Sequence, residues 1–246
     1  IRALHRGYIE AGAGVILTNT FGGTRYRLMR HGLDGCVREI NAAAARLARE
    51  TAGDAVFVFG DVGPTGELLQ PLGKVTYDEA VAAFHEQAEG LLAEGLVDAI
   101  LIETMSDINE AKAALEGVRR VSADIPVLVT FSFDSHGRTM MGLKPEKAAR
   151  EMWALGVTAV GANCGRTLSE TLTAIEQMRA AVPEALLMAK PNAGLPHVSQ
   201  GNMVYDVTPD VMGDYAQKFA AQGVKIFGGC CGSAPEHIAA IAQALT

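Results

Sequence analysis

The sequence predicts an α/β fold of the (β/α)8 barrel class, formed as one domain over residues 1–246. Three observations predict it. Short apolar, β-branched runs alternate with longer amphipathic stretches from end to end. Most of these runs are apolar throughout, as parallel strands buried on both faces require. The length of 246 residues is close to the ~250 typical of a single barrel of this kind.

The elements follow in order. The chain opens on a helical pattern closed by Gly12, and that helix should follow a strand. The first strand is therefore read as absent from this chain or supplied by another segment. Strands are expected over 14–19, 55–59, 98–102, 126–131, 157–161, 185–190 and 224–227. Between them lie helical patterns, such as the one beginning at Val37, and three helix starts have capping-box form. These are Thr76-Tyr-Asp-Glu79, Thr167-Leu-Ser-Glu170 and Ser233-Ala-Pro-Glu236. Seven strands in βα order fit either a doubly wound sheet or a barrel, and one absent strand makes the barrel's eight.

Bulk composition narrows the function. A hydrophobic fraction of 49% with 20% charged residues supports a large core and argues against disorder. A net charge of -7 without a basic cluster argues against nucleic acid as a partner. No apolar run approaches the ~20 residues that span a membrane, and the charged first ten residues do not form a signal peptide pattern. Four cysteines, two of them adjacent, do not make a disulfide scaffold. The expected compartment is a reducing cytoplasm.

In barrels of this class the active site lies at the C-terminal ends of the strands. That rule selects, among others, Asn19, Asp61, Glu103, Ser132, Asn163, Cys164, Asn192, Cys230 and Cys231. Cys164 ends Gly161-Ala-Asn-Cys164, and the vicinal pair lies in Gly228-Gly-Cys-Cys-Gly232. A lone buried cysteine is usually a small core residue. Three at two strand ends make a soft-ligand zinc site with one position open. Such a zinc, carrying three thiolates, is a poor generator of hydroxide but a good partner for a fourth thiol, which it deprotonates. The matching reaction class is alkyl transfer to a substrate thiol. The fourth position is expected to hold water or a weak oxygen ligand, and Asn192 is the protein group nearest in barrel order. Glu103 has two equal readings: a partner for a substrate ammonium, or an acid at a helix start. Of the six histidines none shows ligand spacing, and His197 reads as an exposed loop residue.

These motifs closely resemble the homocysteine S-methyltransferase family, and within it the homocysteine-binding barrel of cobalamin-dependent methionine synthase. The resemblance covers nearly the whole chain. It is carried by Thr18-Asn-Thr-Phe21, Gly60-Asp-Val-Gly-Pro-Thr-Gly66, Leu101-Ile-Glu-Thr104, Gly161-Ala-Asn-Cys164, Pro191-Asn-Ala-Gly-Leu-Pro196 and Gly228-Gly-Cys-Cys-Gly232. It implies a zinc ion on Cys164, Cys230 and Cys231. It also implies a catalytic, homocysteine-contacting acid at Glu103, and a zinc-activated homocysteine thiolate that accepts a methyl group to form methionine. Asn19, Asp61 and Ser132 are expected to face the substrate. The expected partners are homocysteine and a methyl donor: betaine, S-methylmethionine, or a methylcorrinoid carried by another domain or protein. The reading of a different class is a non-catalytic zinc barrel that serves as an assembly module. Two features depart from the family pattern: the missing first strand, and Gly165-Arg-Thr167 after Cys164.

Overall fold

The computed structural model describes residues 1–134, 136–199 and 201–246. They form two compact units, residues 1–9 with 14–129 and residues 10–13 with 130–246.

In the first unit α1 (Arg2–Glu10, all but its last residue) leads into β1 (Val15–Leu17), α2 (Arg25–Met29) and α3 (Val37–Ala52). Then come β2 (Phe57–Val62), α4 (Tyr77–Leu92), β3 (Ala99–Met105), α5 (Ile108–Val121) and the first part of β4 (Val127–Phe131). The strands lie side by side in the order β1-β2-β3-β4. β1 and β2 run parallel with Ile16 opposite Val58, and β2 and β3 run parallel with Asp61 opposite Leu101. Val58, Ile100, Ile102 and Val129 are fully buried, which is why these strands carry no polar alternation. α3 buries Val37, Asn41, Ala44, Ala45, Ala48 and Ala52, a stripe at helical spacing. α4 starts at the expected capping box: Glu79 N–H donates to the Thr76 hydroxyl at 3.2 Å, and Thr76 N–H donates to the Glu79 carboxylate at 2.8 Å.

Buried amides tie the ends of β1 and β2 together. Asp61 N–H donates to Thr18 Oγ1 at 2.9 Å, and Thr20 Oγ1 donates to the Asp61 carbonyl at 2.7 Å. Gln87 on α4 donates through Nε2 to the Thr20 carbonyl at 2.8 Å and to Asn41 Oδ1 at 3.2 Å. Asn41 on α3 donates through Nδ2 to the Gly23 carbonyl at 2.9 Å. Both amides are completely buried, so each bond replaces water that cannot enter.

The second unit holds the end of β4, α6 (Pro145–Ala154), β5 (Ala159–Cys164), α7 (Leu168–Ala181) and β6 (Leu187–Pro191). The hairpin β7 (His197–Ser199) and β8 (Asn202–Val204) follows, then α8 (Pro209–Ala221), β9 (Val224–Phe227) and α9 (Pro235–Leu245). The order here is β4-β5-β6-β9, and β6 runs parallel to both β5 and β9. Leu168, Met212, Ala216 and Ile241 pack around Ala193, in the segment after β6, and Phe219 stacks on Phe227 with ring centroids 4.9 Å apart. Among the described residues, no helix is long and apolar enough to cross a membrane.

The α/β class and the βα order expected from the sequence are those observed. Three local expectations change. β3 runs on to Met105 and β5 to Cys164, so Glu103 and Cys164 belong to strands rather than to the loops after them. β7 and β8 pair antiparallel, 197–199 against 202–204, and their six residues are all exposed, so no core-facing alternation marks them. α9 starts with Ala234 as its cap, one residue beyond the Ser233 expected, and the residue that closes the cap is His237, not Glu236.

The amide network predicts a specific sensitivity at Gly23. A methyl group there would lie 2.5 Å from Asn41 Oδ1 and 2.6 Å from Gln87 Nε2. Gly23→Ala is expected to cost about 1–3 kcal/mol through overpacking, read as a lower urea midpoint. An unchanged midpoint would show that the network yields without cost.

Candidate metal centre

The sulfurs of Cys164, Cys230 and Cys231 all lie within 4.8 Å of one another. Cys164 is the last residue of β5, and the vicinal pair follows β9 after Gly228 and Gly229. β6 lies between those two strands. Cys164 takes a left-handed backbone, φ 60°, which non-glycine residues seldom adopt. Its neighbour Gly165 is held on both sides: its N–H donates to Ser132 Oγ at 3.3 Å, and its carbonyl accepts from Asn192 Nδ2 at 2.8 Å.

Asn192, just past β6, also accepts the Cys231 N–H on Oδ1 at 3.0 Å. One buried side chain thus bonds to both cysteine loops. Backbone bonds complete the cradle. Cys230 N–H donates to the Pro191 carbonyl at 2.8 Å, and Ala193 N–H donates to the Cys231 carbonyl at 2.9 Å. Asn163, buried beside Cys164, directs its amide Nδ2 at Cys230 Sγ, 3.8 Å away, while its Oδ1 accepts from Thr130 Oγ1 at 2.7 Å. Donation to a sulfur favours the thiolate. The ring of Tyr205 lies where a Cβ on Gly232 would be, 2.3–2.6 Å from that point, so only glycine fits beside Cys231.

The thiols work against each other's ionisation. The hydrogen bond with Cys230 favours the Cys164 thiolate, but the bond to Cys231, burial and the charge of Cys231 outweigh it and hold Cys164 above the ordinary thiol range. For Cys231 the bond with Cys164 favours the thiolate, and Cys230 together with burial again prevails in the upward direction. A cation among the three would reverse this balance. The donor set fits such an ion: tetrahedral Zn–S bonds near ~2.3 Å put sulfurs about 3.8 Å apart, compatible with the cluster observed.

Of the other residues expected at the site, Ser132 and Asn192 join the cysteines through the bonds just described, and both are buried. In the first unit Asp61 is buried at the end of β2, Asn19 is exposed just past β1, and Glu103 is 6% exposed within β3. The helix-start reading of Glu103 does not hold, because α5 begins at Ile108 with Asp107 as its cap. The next residue, Thr104, has φ 62°, a second left-handed non-glycine at a strand end. His197 is exposed in β7, with Asp206 3.4 Å away. Around the sulfurs, Asn163 is a strand-end residue expected from the sequence, whereas Thr130, Tyr205 and His237 are not. Asn163 adjoins Cys164 in the motif, but the other three carry no local pattern that separates them from ordinary polar residues.

The sequence profile of the homocysteine S-methyltransferase family matches residues 1–245. Among solved structures, the metallated form of the homocysteine methyltransferase MmuM from Escherichia coli superposes with a TM-score of 0.81 at 22% identity, covering 98% of this chain and 83% of that one. Its oxidized form gives 0.79 at 24% identity, covering 100% and 84%. A type I 3-dehydroquinate dehydratase from Clostridium difficile gives 0.57 at 11% identity, covering 99% and 86%. At these identities the structural likeness shows a shared fold.

The thiol environment sets a pH dependence. Cys164 and Cys231 lie above the ordinary thiol value of ~8.5, so both are protonated near pH 7. Thiolate ligation must displace those protons. Zinc added to metal-free protein at pH 7 is expected to release about two protons from this pair, with apparent affinity rising with pH. For metal-free protein the sign is opposite. Its raised thiol values contribute stability below ~8.5 that is lost as pH climbs through them. Calorimetry in buffers of different ionisation enthalpy measures the release; a count near zero would show that these sulfurs do not take the ion.

Proposed function

The chain belongs to the homocysteine S-methyltransferase family, and on that premise we propose that its three-sulfur cradle holds zinc and that the protein methylates homocysteine on sulfur to give methionine. The observation that carries this reading is the meeting of Cys164, Cys230 and Cys231 within 4.8 Å. When bound, zinc supplies the positive charge that keeps an added thiol ionised near neutral pH.

The chain's own groups do the rest. Cys164, Cys230 and Cys231 hold the ion, and the Asn163 amide lends hydrogen-bond support to Cys230. Asn192 Oδ1 has two lone pairs and gives one to Cys231 N–H. The second would be available to a bound ion as a weak oxygen donor. Glu103, a buried carboxylate near the end of β3, takes the substrate ammonium. Asn19, Asp61 and Ser132 contact the rest of the substrate. In the transfer, the homocysteine sulfur forms a bond to the methyl carbon as the donor's bond to that carbon breaks, and the thiol proton leaves beforehand to solvent. The donor is a small activated methyl compound or a methylcorrinoid carried on another domain or protein; a panel of betaine, S-methylmethionine and methylcobalamin tells them apart.

Cys230→Ala is expected to abolish both zinc uptake and methionine formation, measured by metal analysis and product assay. Full zinc occupancy in that variant would overturn the assignment. Zinc binding without any affinity for homocysteine in the unaltered chain would instead favour an assembly module. Glu103→Gln keeps shape and removes charge. Loss of a charge-assisted bond is worth roughly 1.5–3 kcal/mol, so homocysteine affinity should fall about 10- to 100-fold while zinc stays bound. Equal affinity would remove Glu103 from substrate recognition.

A further inference from the structure

We infer that His237 is a positioning residue for the metal-holding cysteines, acting through a hydrogen-bonded strut that returns from α9 to Cys231. The inference rests on the metal reading above. His237 is the third residue of α9. Its Nδ1 lies 3.1 Å from the N–H of Ala234, and its Nε2 lies 2.8 Å from the carbonyl of Val207. A backbone N–H only donates and a carbonyl only accepts. Nδ1 is therefore the acceptor, and the ring proton sits on Nε2. Val207 passes the connection on: its N–H donates to the Ala193 carbonyl at 3.1 Å, and Ala193 N–H donates to the Cys231 carbonyl at 2.9 Å.

The result is a closed ring. One side is the covalent segment from Cys231 to His237, and the other is the imidazole, Val207 and Ala193. Gly232 within the segment and Gly229 before it loosen the end next to Cys231, while Pro235 stiffens only the end at α9. Ala193, by contrast, is completely buried in the core formed with Leu168, Met212 and Ile241. The imidazole thus refers the position of Cys231 to the packed core. Groups hydrogen-bonded directly to metal ligands are typically worth 10- to 100-fold in metal affinity, and His237, acting through Val207 and Ala193, is expected at the low end of that range.

A simpler role for His237 is helix capping alone, and two substitutions separate the roles. His237→Glu can accept from Ala234 N–H, as an acidic residue does in a capping box, but cannot donate to Val207. His237→Gln offers both an acceptor and a donor. His237→Ala offers neither. Zinc affinity is measured by competition with a chromogenic chelator, and ligand geometry by the visible spectrum of the cobalt(II)-substituted protein. The expected result is a loss of about tenfold or more in zinc affinity for Glu and Ala, with altered cobalt bands, and substantial rescue by Gln. If Ala fails to fold, the comparison of Glu with Gln decides. Undiminished zinc affinity and unchanged cobalt bands in the Glu variant would reduce His237 to a helix cap and overturn the strut. An unaltered chain that binds neither ion would overturn the metal reading itself, and the strut with it.

Discussion

One side chain, Asn192, ties together the two loops that carry the three cysteines. The three sulfurs come from the ends of β5 and β9, which are separated by β6. A side chain at the end of the middle strand can reach both neighbours, and the Asn192 amide does so with opposite polarity on its two atoms: Nδ2 to the Gly165 carbonyl, Oδ1 to the Cys231 N–H. An aspartate would lack the donor, and a leucine would remove both of these partly buried bonds. The spacing of the sulfurs depends on this amide more directly than on any apolar contact.

The same clamp explains how a strained backbone persists. A left-handed φ at a non-glycine residue costs of order 1–3 kcal/mol and survives only where its surroundings over-determine it. Cys164, at φ 60°, is followed by a glycine tied to Ser132 and to Asn192. The turn points the chain out of β5 sharply enough to keep the sulfur at the strand's end. Thr104, at φ 62°, repeats the device directly after Glu103. Two residues picked from sequence for their chemistry thus sit at or beside the two strand ends where the backbone is strained, as expected where geometry serves a site rather than stability.

Much of this was legible in the sequence, for identifiable reasons. Continuous apolar runs such as the one before Asn163 announce strands covered on both faces, and a vicinal cysteine pair between glycines has few uses besides ligation. What escaped notice is equally physical. The pair of strands at 197–199 and 202–204 buries no strand residue, so it leaves no periodic trace. Polar residues usually end a strand, but β3 continues past buried Glu103 and partly buried Thr104 to Met105. The start of α9 was placed one residue early because Ser233 and Glu236 have the spacing of a capping box, while a histidine one position later makes the bond. Imidazole can accept on one nitrogen and donate on the other, and spacing rules built on Glu and Gln do not anticipate that.

The hydrogen bonds that hold the cysteine loops are made between protein groups: Asn192 to both loops, Asn163 between Thr130 and Cys230, and the backbone ladder through Pro191 and Ala193. They belong to the fold. A small zinc finger differs, since there the metal's binding energy is the folding energy and most of the affinity is consumed in ordering the chain. In a cradle whose loops are already ordered by the protein, little ordering remains to oppose ligation, so more of the intrinsic sulfur–metal affinity is retained. The cost is carried by the fold instead, as strain at Cys164 and as thiols crowded closely enough to raise one another's protonation. On the proposed metal reading, a site built this way would favour an ion that stays resident while its remaining ligand changes, and exchange of one ligand against a fixed set of three is what acceptance of a substrate thiol would demand.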